Sequence, residues 1–350
     1  MTIDVDARTE MVSLMETADR LRQDGDVAAA SRALDAALAL PLDQGVGASL
    51  LAQLDVVAGE IRLEQGRHAD ALTLFERATS QAVGSDNPTL AVDAVVGQGV
   101  ALRILGRYDE AYRTLTRGLE FAGERLGADA IAAAGAHNEM GVLLKAMGEY
   151  DAALRHYHAA LPVLLARYGE SSAPVATLYH NLGGIGFVRG DLDEARDWAQ
   201  RGVQIRQKIC GEDHINVILD QAALVPILIQ RGEYEQARTL LDTVLPRLER
   251  DYGPWHYEVS VALTNLGALE AHERRWEQAR DRLLRAAEIK RKALGPDSPE
   301  LIRTLANLAF VAENAGDSAL AQESSAEAQR VARTSLPPTH PVHRTIGSLP

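Results

Sequence analysis

A single cysteine, Cys210, stands in a chain of 350 residues. That excludes an internal disulfide framework and fits a reducing compartment. Aromatic residues are scarce at 5%, which suits many closely packed helices better than a β-sandwich. No stretch approaches the roughly 18 consecutive apolar residues of a membrane span, so no membrane partner is expected. The opening segment MTIDVDARTEM is acidic and lacks an apolar core, so it does not read as a secretory signal; the expected location is cytoplasmic. A cationic surplus is also missing: 36 Lys and Arg against 49 Asp and Glu leave a formal charge of −13. A chain whose main partner is nucleic acid needs a basic face to neutralise phosphates, so nucleic acid is not the expected partner. P-loop, nucleophile-elbow and G-x-G-x-x-G fingerprints are absent. The run Gly183-Gly184-Ile185-Gly186 reads as a helix interior that permits close packing.

What is present is an ordinary globular composition, 46% hydrophobic and 24% charged, and a strong internal period. Gly106, Gly148, Gly190 and Gly232 lie 42 residues apart; the next steps fall on Arg274 and Gly316, and shorter steps upstream reach Gly66 and Gly25. Five residues after each mark stands an alanine: Ala30, Ala71, Ala111, Ala153, Ala195, Ala237, Ala279 and Ala321. Seven residues before each mark stands Ala18, Gly59, Gly99, Gly141, Gly183, Val225, Gly267 or Ala309, small in all but one case. Two antiparallel helices joined by a tight turn approach closely only where facing side chains are small, and Gly at the turn accepts φ > 0. A second ladder, Gly127, Gly169, Gly211, Gly253 and Gly295, marks the loops that lead from one helix pair to the next. Repeats of this length point to stacked supersecondary units.

The wording of each unit, an L-G with polar residues and Pro, a helix reading N-L-G/A, a G-x-[YWL]-x-x-A turn and a helix closing on A-L, resembles a tetratricopeptide repeat. The 42-residue spacing and LGPDSPELIRTLANLAFVAENAGD are similar to the kinesin-light-chain type. The resemblance implies an all-α fold, a right-handed superhelical solenoid of about eight antiparallel helix pairs. Residues 1–334 are expected to form one such solenoid, with shorter first units over 8–85 and regular units over 86–334. The tail, 335–350, echoes the start of a repeat and is expected to begin a ninth unit and stop, as a short cap or a partly disordered end. Arg274 in place of a turn Gly, Val225 and Val244 in place of small residues, and Pro226 inside a helix are departures from the pattern. Pro226 removes a helix hydrogen bond.

The resemblance also implies that the first helix of each pair lines a concave groove. The fourth unit then offers Asn138 and Lys145, and the fifth Thr177, His180, Asn181 and Phe187. The sixth offers Leu219, Pro226 and Ile229. The seventh offers Thr264 and Asn265 with His272 beside them, and the eighth Arg303, Asn307 and Phe310. Asn181, Asn265 and Asn307 share one repeat position, where the family's asparagines clamp the backbone of an extended peptide; an amide offers both donor and acceptor. The alternative is that each satisfies a neighbouring helix. Leu219, Pro226 and Ile229 with Phe187 make an apolar patch that would accept a partner's side chain, unless a terminal segment of the same chain fills it. The histidines His137, His156, His158 and His180 lack metal-ligand spacing, and neither a metal nor a cofactor is expected. The basic stretch 272–295 reads as a solvated helix face, with docking of an acidic segment as the sharper alternative.

Three readings of function stay open. The favoured one is a non-enzymatic adaptor or regulator that binds a peptide or extended protein segment in the groove. Against it stand a small-molecule binder or enzyme built on Lys145, His180, His272 and Glu313, and a self-associating scaffold, which would make the chain a homo-oligomer.

Overall fold

In a computed structural model, residues 3–40, 47–82 and 86–346 are described, with side chains from residue 7 onward. They form seventeen α-helices and, among the described residues, no strand. The connections at 41–46 and 83–85 and the end of the tail, 347–350, lie outside the described residues. The chain divides into two compact units, residues 1–143 with 162–167, and residues 144–161 with 168–350.

The first unit pairs α1 (Ile3–Gln23) with α2 (Val27–Leu38), α3 (Ala48–Glu64) with α4 (His68–Ala82), and α5 (Pro88–Ile104) with α6 (Tyr108–Arg125); most of α7 (Ile131–Ala146) follows. The second unit takes the last turn of α7 and most of α8 (Tyr150–Tyr168). It then pairs α9 (Ala173–Arg189) with α10 (Leu192–Cys210), α11 (Ile215–Gln230) with α12 (Tyr234–Tyr252), α13 (Tyr257–His272) with α14 (Trp276–Leu294), and α15 (Leu301–Asn314) with α16 (Ser318–Ser335). A short α17 (Val342–Ile346) lies on α16.

The turn ladder has the geometry expected of it. Every marked Gly has positive φ, and Arg274 keeps the same left-handed turn at φ 58°, the one non-Gly residue among those described to do so. All eight ladder alanines are fully buried. The small residues opposite them are small for a steric reason. A Cβ at Gly183 would lie 3.0–3.1 Å from Ala199 and the Ala195 carbonyl, and one at Gly267 would lie 2.7 Å from Leu283. Helix starts are capped locally: Asp26 accepts from the Ala29 N–H (2.8 Å), Asn87 from Leu90 (3.1 Å) ahead of Pro88, and Asp317 from Leu320 (3.1 Å). In the second unit a histidine takes this role, His214 Nδ1 accepting from Asn216 (3.2 Å) and His256 Nδ1 from Glu258 (3.3 Å).

The first helices of the second unit therefore stand side by side with their apolar seams against the second helices. Leu224, Val225, Leu228 and Ile229 of α11 pack with Ala237 and Leu241 of α12 and with Leu266 and Leu269 of α13. That leaves one face of α9, α11, α13 and α15 for another purpose.

Candidate functional site

Along that shared face lies a cavity of about 410 Å³. Helix α9 lines it with His180, Gly184 and Phe187, residues at i, i+4 and i+7 on one helical stripe. Helix α11 adds Asp220, Ala222, Ala223 and Pro226, and α13 adds Val261 and Asn265; Glu300 and Arg303 come from the start of α15. Lys145 and Ala146 from the end of α7, Tyr150 of α8, and His340 from the tail close it. Apolar side chains such as Phe187, Pro226 and Val261 line it together with the charged Lys145, Asp220, Glu300 and Arg303, the composition of a site that holds a ligand by shape and orients it by a few polar groups.

The charges are held in place from behind. Asp220, 6% exposed, accepts from Arg206 Nε (2.6 Å) with one oxygen and meets His180 Nδ1 (2.9 Å) with the other. Arg206 Nη2 also donates to Thr177 Oγ1 (2.9 Å). A carboxylate only accepts, so Nδ1 of His180 carries a proton and donates it to Asp220, which fixes the ring's orientation. Lys145 reaches past Gly184, where a Cβ would sit 2.9 Å from its Nζ. Arg303 is solvent-accessible but walled in, and burial lowers its pKa while Glu300 and Tyr257 pull it back up.

Asn265 bonds a neighbouring helix, the alternative its repeat position left open. Pro226 has no N–H, so the Ala222 carbonyl one turn back loses its helix donor. The Asn265 Nδ2 amide donates to that carbonyl at 3.3 Å, and Asn265 is only 3% exposed. The chain thus answers the proline in α11 with an amide from α13.

Tetratricopeptide repeat models match residues 132–208, 174–250 and 258–334, and a second such model matches 56–123. The chain belongs to the tetratricopeptide-repeat family. Among solved structures it is similar to a Rap protein complexed with Competence and Sporulation Factor, at 11% identity over 94% of this chain and 99% of that one (TM-score 0.66). The Rap conjugation gene regulator of plasmid pLS20 in complex with the Phr* peptide matches at 14% identity over 95% and 99% (TM-score 0.64). The apo quorum sensor NprR from B. thuringiensis matches at 16% over 92% and 87% (TM-score 0.59). At these identities the likeness is one of fold. No curated protein matches the chain.

Within this tetratricopeptide array a second hollow, of about 240 Å³, lies one turn further along α13 and α15. Ala268, Ala271, His272, Asn307 and Phe310 line it with Arg274 and Trp276. Phe310, 52% exposed, meets Trp276 edge-on at 6.2 Å, and His272 stacks on Tyr234 at 5.1 Å.

Of the residues that the repeat map put in the groove, six line the larger cavity (Lys145, His180, Phe187, Pro226, Asn265, Arg303) and three the smaller (His272, Asn307, Phe310). Thr177 braces Arg206 from the side. Four lie elsewhere. Thr264 is fully buried, bonded to Thr304 Oγ1 (2.9 Å) and the Ser260 carbonyl (2.8 Å). Ile229 sits in the α11–α12 core, Leu219 packs on the neighbouring core of α11, α12 and α13, and Asn181 is 8% exposed. Asn138 belongs to the first unit and donates to Glu139 (2.9 Å). There the corresponding face is acidic: Asp19, Glu60 and Glu64 share Arg22 at 2.7, 3.0 and 3.1 Å, and burial raises Asp93 to about 6. The repeat map missed Asp220, Glu300 and His340. The basic stretch is largely paired, with Arg280–Glu277 (2.6 Å), Arg285–Glu249 (2.7 Å), Arg291–Glu327 (2.5 Å) and Lys292–Glu288 (2.7 Å). Among the described residues no His/Cys/Asp/Glu group could hold a metal ion, and no helix is long and apolar enough to cross a membrane.

Behind Arg303 lies a buried polar cluster with a pH signature. Lys290, 1% exposed, donates to the Glu300 carbonyl (2.9 Å) and Thr304 Oγ1 (3.0 Å). Burial lowers it to about 8, although Glu300 and Glu258 pull it upward. Burial and then Glu300 push Glu258 up to about 7. A carboxyl raised on folding stabilises most below its unfolded value, and that contribution is lost as pH rises through 7; a lysine lowered on folding regains stability from 8 toward 10.5. Thermal unfolding midpoints should therefore fall between pH 4.5 and 7, and Glu258→Gln should flatten that fall. An unchanged slope in the variant would remove Glu258 as its source.

Proposed function

We propose that the second unit binds a peptide or an extended segment of a partner protein along the shared face of α9, α11, α13 and α15, acting as an adaptor or regulator without chemistry of its own. The observation that carries this is the pair of adjoining hollows on one face. Arg303, Asn307 and Phe310 follow one another at i, i+4 and i+7 along α15, about 6 Å per four residues. Alternate side chains of an extended peptide point the same way about 6.6 Å apart, so one strand can seat successive side chains in both hollows. The Phr* peptide named with one of the similar solved structures supports the reading at the level of fold.

The His180–Asp220 pair resembles part of a catalytic relay, and an enzyme is the competing reading. None of the residues lining the cavity is Ser, Thr or Cys, so the pair has no such nucleophile to activate, and it serves to orient His180. The test is to pan a displayed random-peptide library against the whole chain and measure the selected peptides on Arg303→Ala and Phe310→Ala. Each variant should weaken binding by about tenfold, 1.4 kcal/mol. Peptides that bind wild type and both variants equally would place binding away from this face.

A further inference from the structure

The turn at Gly148 differs from its sister turns in what lies over it. At Gly66, Gly190, Gly232 and Gly316 an added Cβ would meet nothing within 4 Å. At Gly148 it would come within 2.5 Å of Pro341 Cδ and 2.8 Å of His340 Cδ2. The C-terminal segment thus folds back within the second unit and seats on this turn. The His340 imidazole accepts the Val342 N–H through Nδ1 (3.1 Å) and is hydrogen-bonded to the backbone of Ala146. The segment is anchored at both ends: Leu336 and Ile346 are buried, Gln329 Nε2 donates to the Ile346 carbonyl (3.3 Å), and His343 Nε2 meets the Pro337 carbonyl (3.0 Å).

Its position follows from the period. His214, His256, Ser298 and His340 stand 42 residues apart, and each supplies a side-chain acceptor to the amide two residues on. The tail is therefore placed like the start of a ninth first helix, described as α17 over Val342–Ile346. It presents His340 and Pro341 to the end of α7 and the turn after it, where Lys145, Ala146 and Tyr150 line the larger cavity together with His340.

We propose that residues 336–346 are a built wall of the ligand cavity, and that the peptide site is incomplete until this segment is seated. It is a wall and not a plug, because about 410 Å³ stays open with the segment in place. The seating of the tail stands by itself; its contribution to affinity rests on the peptide-binding reading above.

The test uses two matched variants of the full chain. Gly148→Val and Gly190→Val place the same side chain at turns of nearly equal φ, 82° and 85°, so backbone strain is common to both and only the first collides with the tail. Hydrogen exchange of the amides of residues 342–346 should accelerate about tenfold or more in Gly148→Val and stay unchanged in Gly190→Val. Equal exchange in the two variants, or wild-type tail amides that exchange like unstructured chain, would overturn the seating. For the affinity step, His340→Ala should weaken a library-selected peptide that depends on Arg303 by about tenfold. If that peptide binds His340→Ala as tightly as wild type, the tail is not part of the site although the groove reading stands. If no selected peptide depends on Arg303, the groove reading fails and the exchange result is untouched.

Discussion

Replacing Asp220 with Ala should lower the unfolding free energy of the second unit by about 3–5 kcal/mol, because it strands a buried cation. The Arg206 side chain is 11% exposed and the Asp220 side chain 7%, so water cannot replace the lost partner. The Thr177 hydroxyl that remains to Arg206 carries no charge. Asp220→Asn should cost less, since it keeps the shape and one acceptor. The double variant Arg206→Met with Asp220→Leu should recover much of the loss, since a well-packed apolar pair often equals a buried ion pair. Because stacked repeats need not unfold in one step, the measurement is site-resolved: hydrogen exchange of α10 and α11 under increasing denaturant. A single Asp220→Ala variant as protected as wild type would show that the pair does not stabilise the fold. The same change would leave His180 without the partner that orients its ring, and a peptide that contacts His180 should lose affinity in parallel.

Asp220 also shows where the sequence was hard to read. It is the lone charge in INVILDQAALVPILIQ, and a charge in so apolar a helix is costly unless it is paired. That was a usable signal. The repeat map passed over it because fixed offsets assume every first helix is rotated alike about its axis. The assumption holds for His180, Gly184 and Phe187 on α9 and for Arg303, Asn307 and Phe310 on α15. It fails at Thr264, one residue before Asn265, where α13 turns a hydroxyl toward Thr304 of α15. The helices, turns and family were legible because turn glycines and seam alanines repeat under the same steric demand in every copy. The cavity-lining positions repeat under no common demand, and two of them, Asn265 and Pro226, make sense only as a pair from different helices. His340 had no motif of its own. Its place beside the cavity depends on a tail that folds back onto the Gly148 turn, and only the 42-residue ladder pointed to where that tail helix would start.

Phe75→Ala should cost about 3–5 kcal/mol in the first unit, a large effect for one of only four phenylalanines in the chain. Phe75 on α4 is 1% exposed, and its ring is clasped by glycines on two other helices. A Cβ at Gly59 of α3 would lie 2.7 Å from Cζ, and one at Gly97 of α5 would lie 2.2 Å from Cε1. The small residue at Gly59 belongs to the repeat pattern; Gly97 does not, and the Phe75 ring fills the space that a side chain there would need. Gly97→Ala should therefore destabilise by about 1–3 kcal/mol through overpacking, although Ala is the better helix former. Combining it with Phe75→Leu should give a loss smaller than the sum of the two single changes, because the shorter side chain leaves room for the new methyl. Strict additivity, read from exchange protection of α3, α4 and α5, would mean that the ring and the glycine are not packed against each other. In that case the seam of the first unit would rest on its alanines alone.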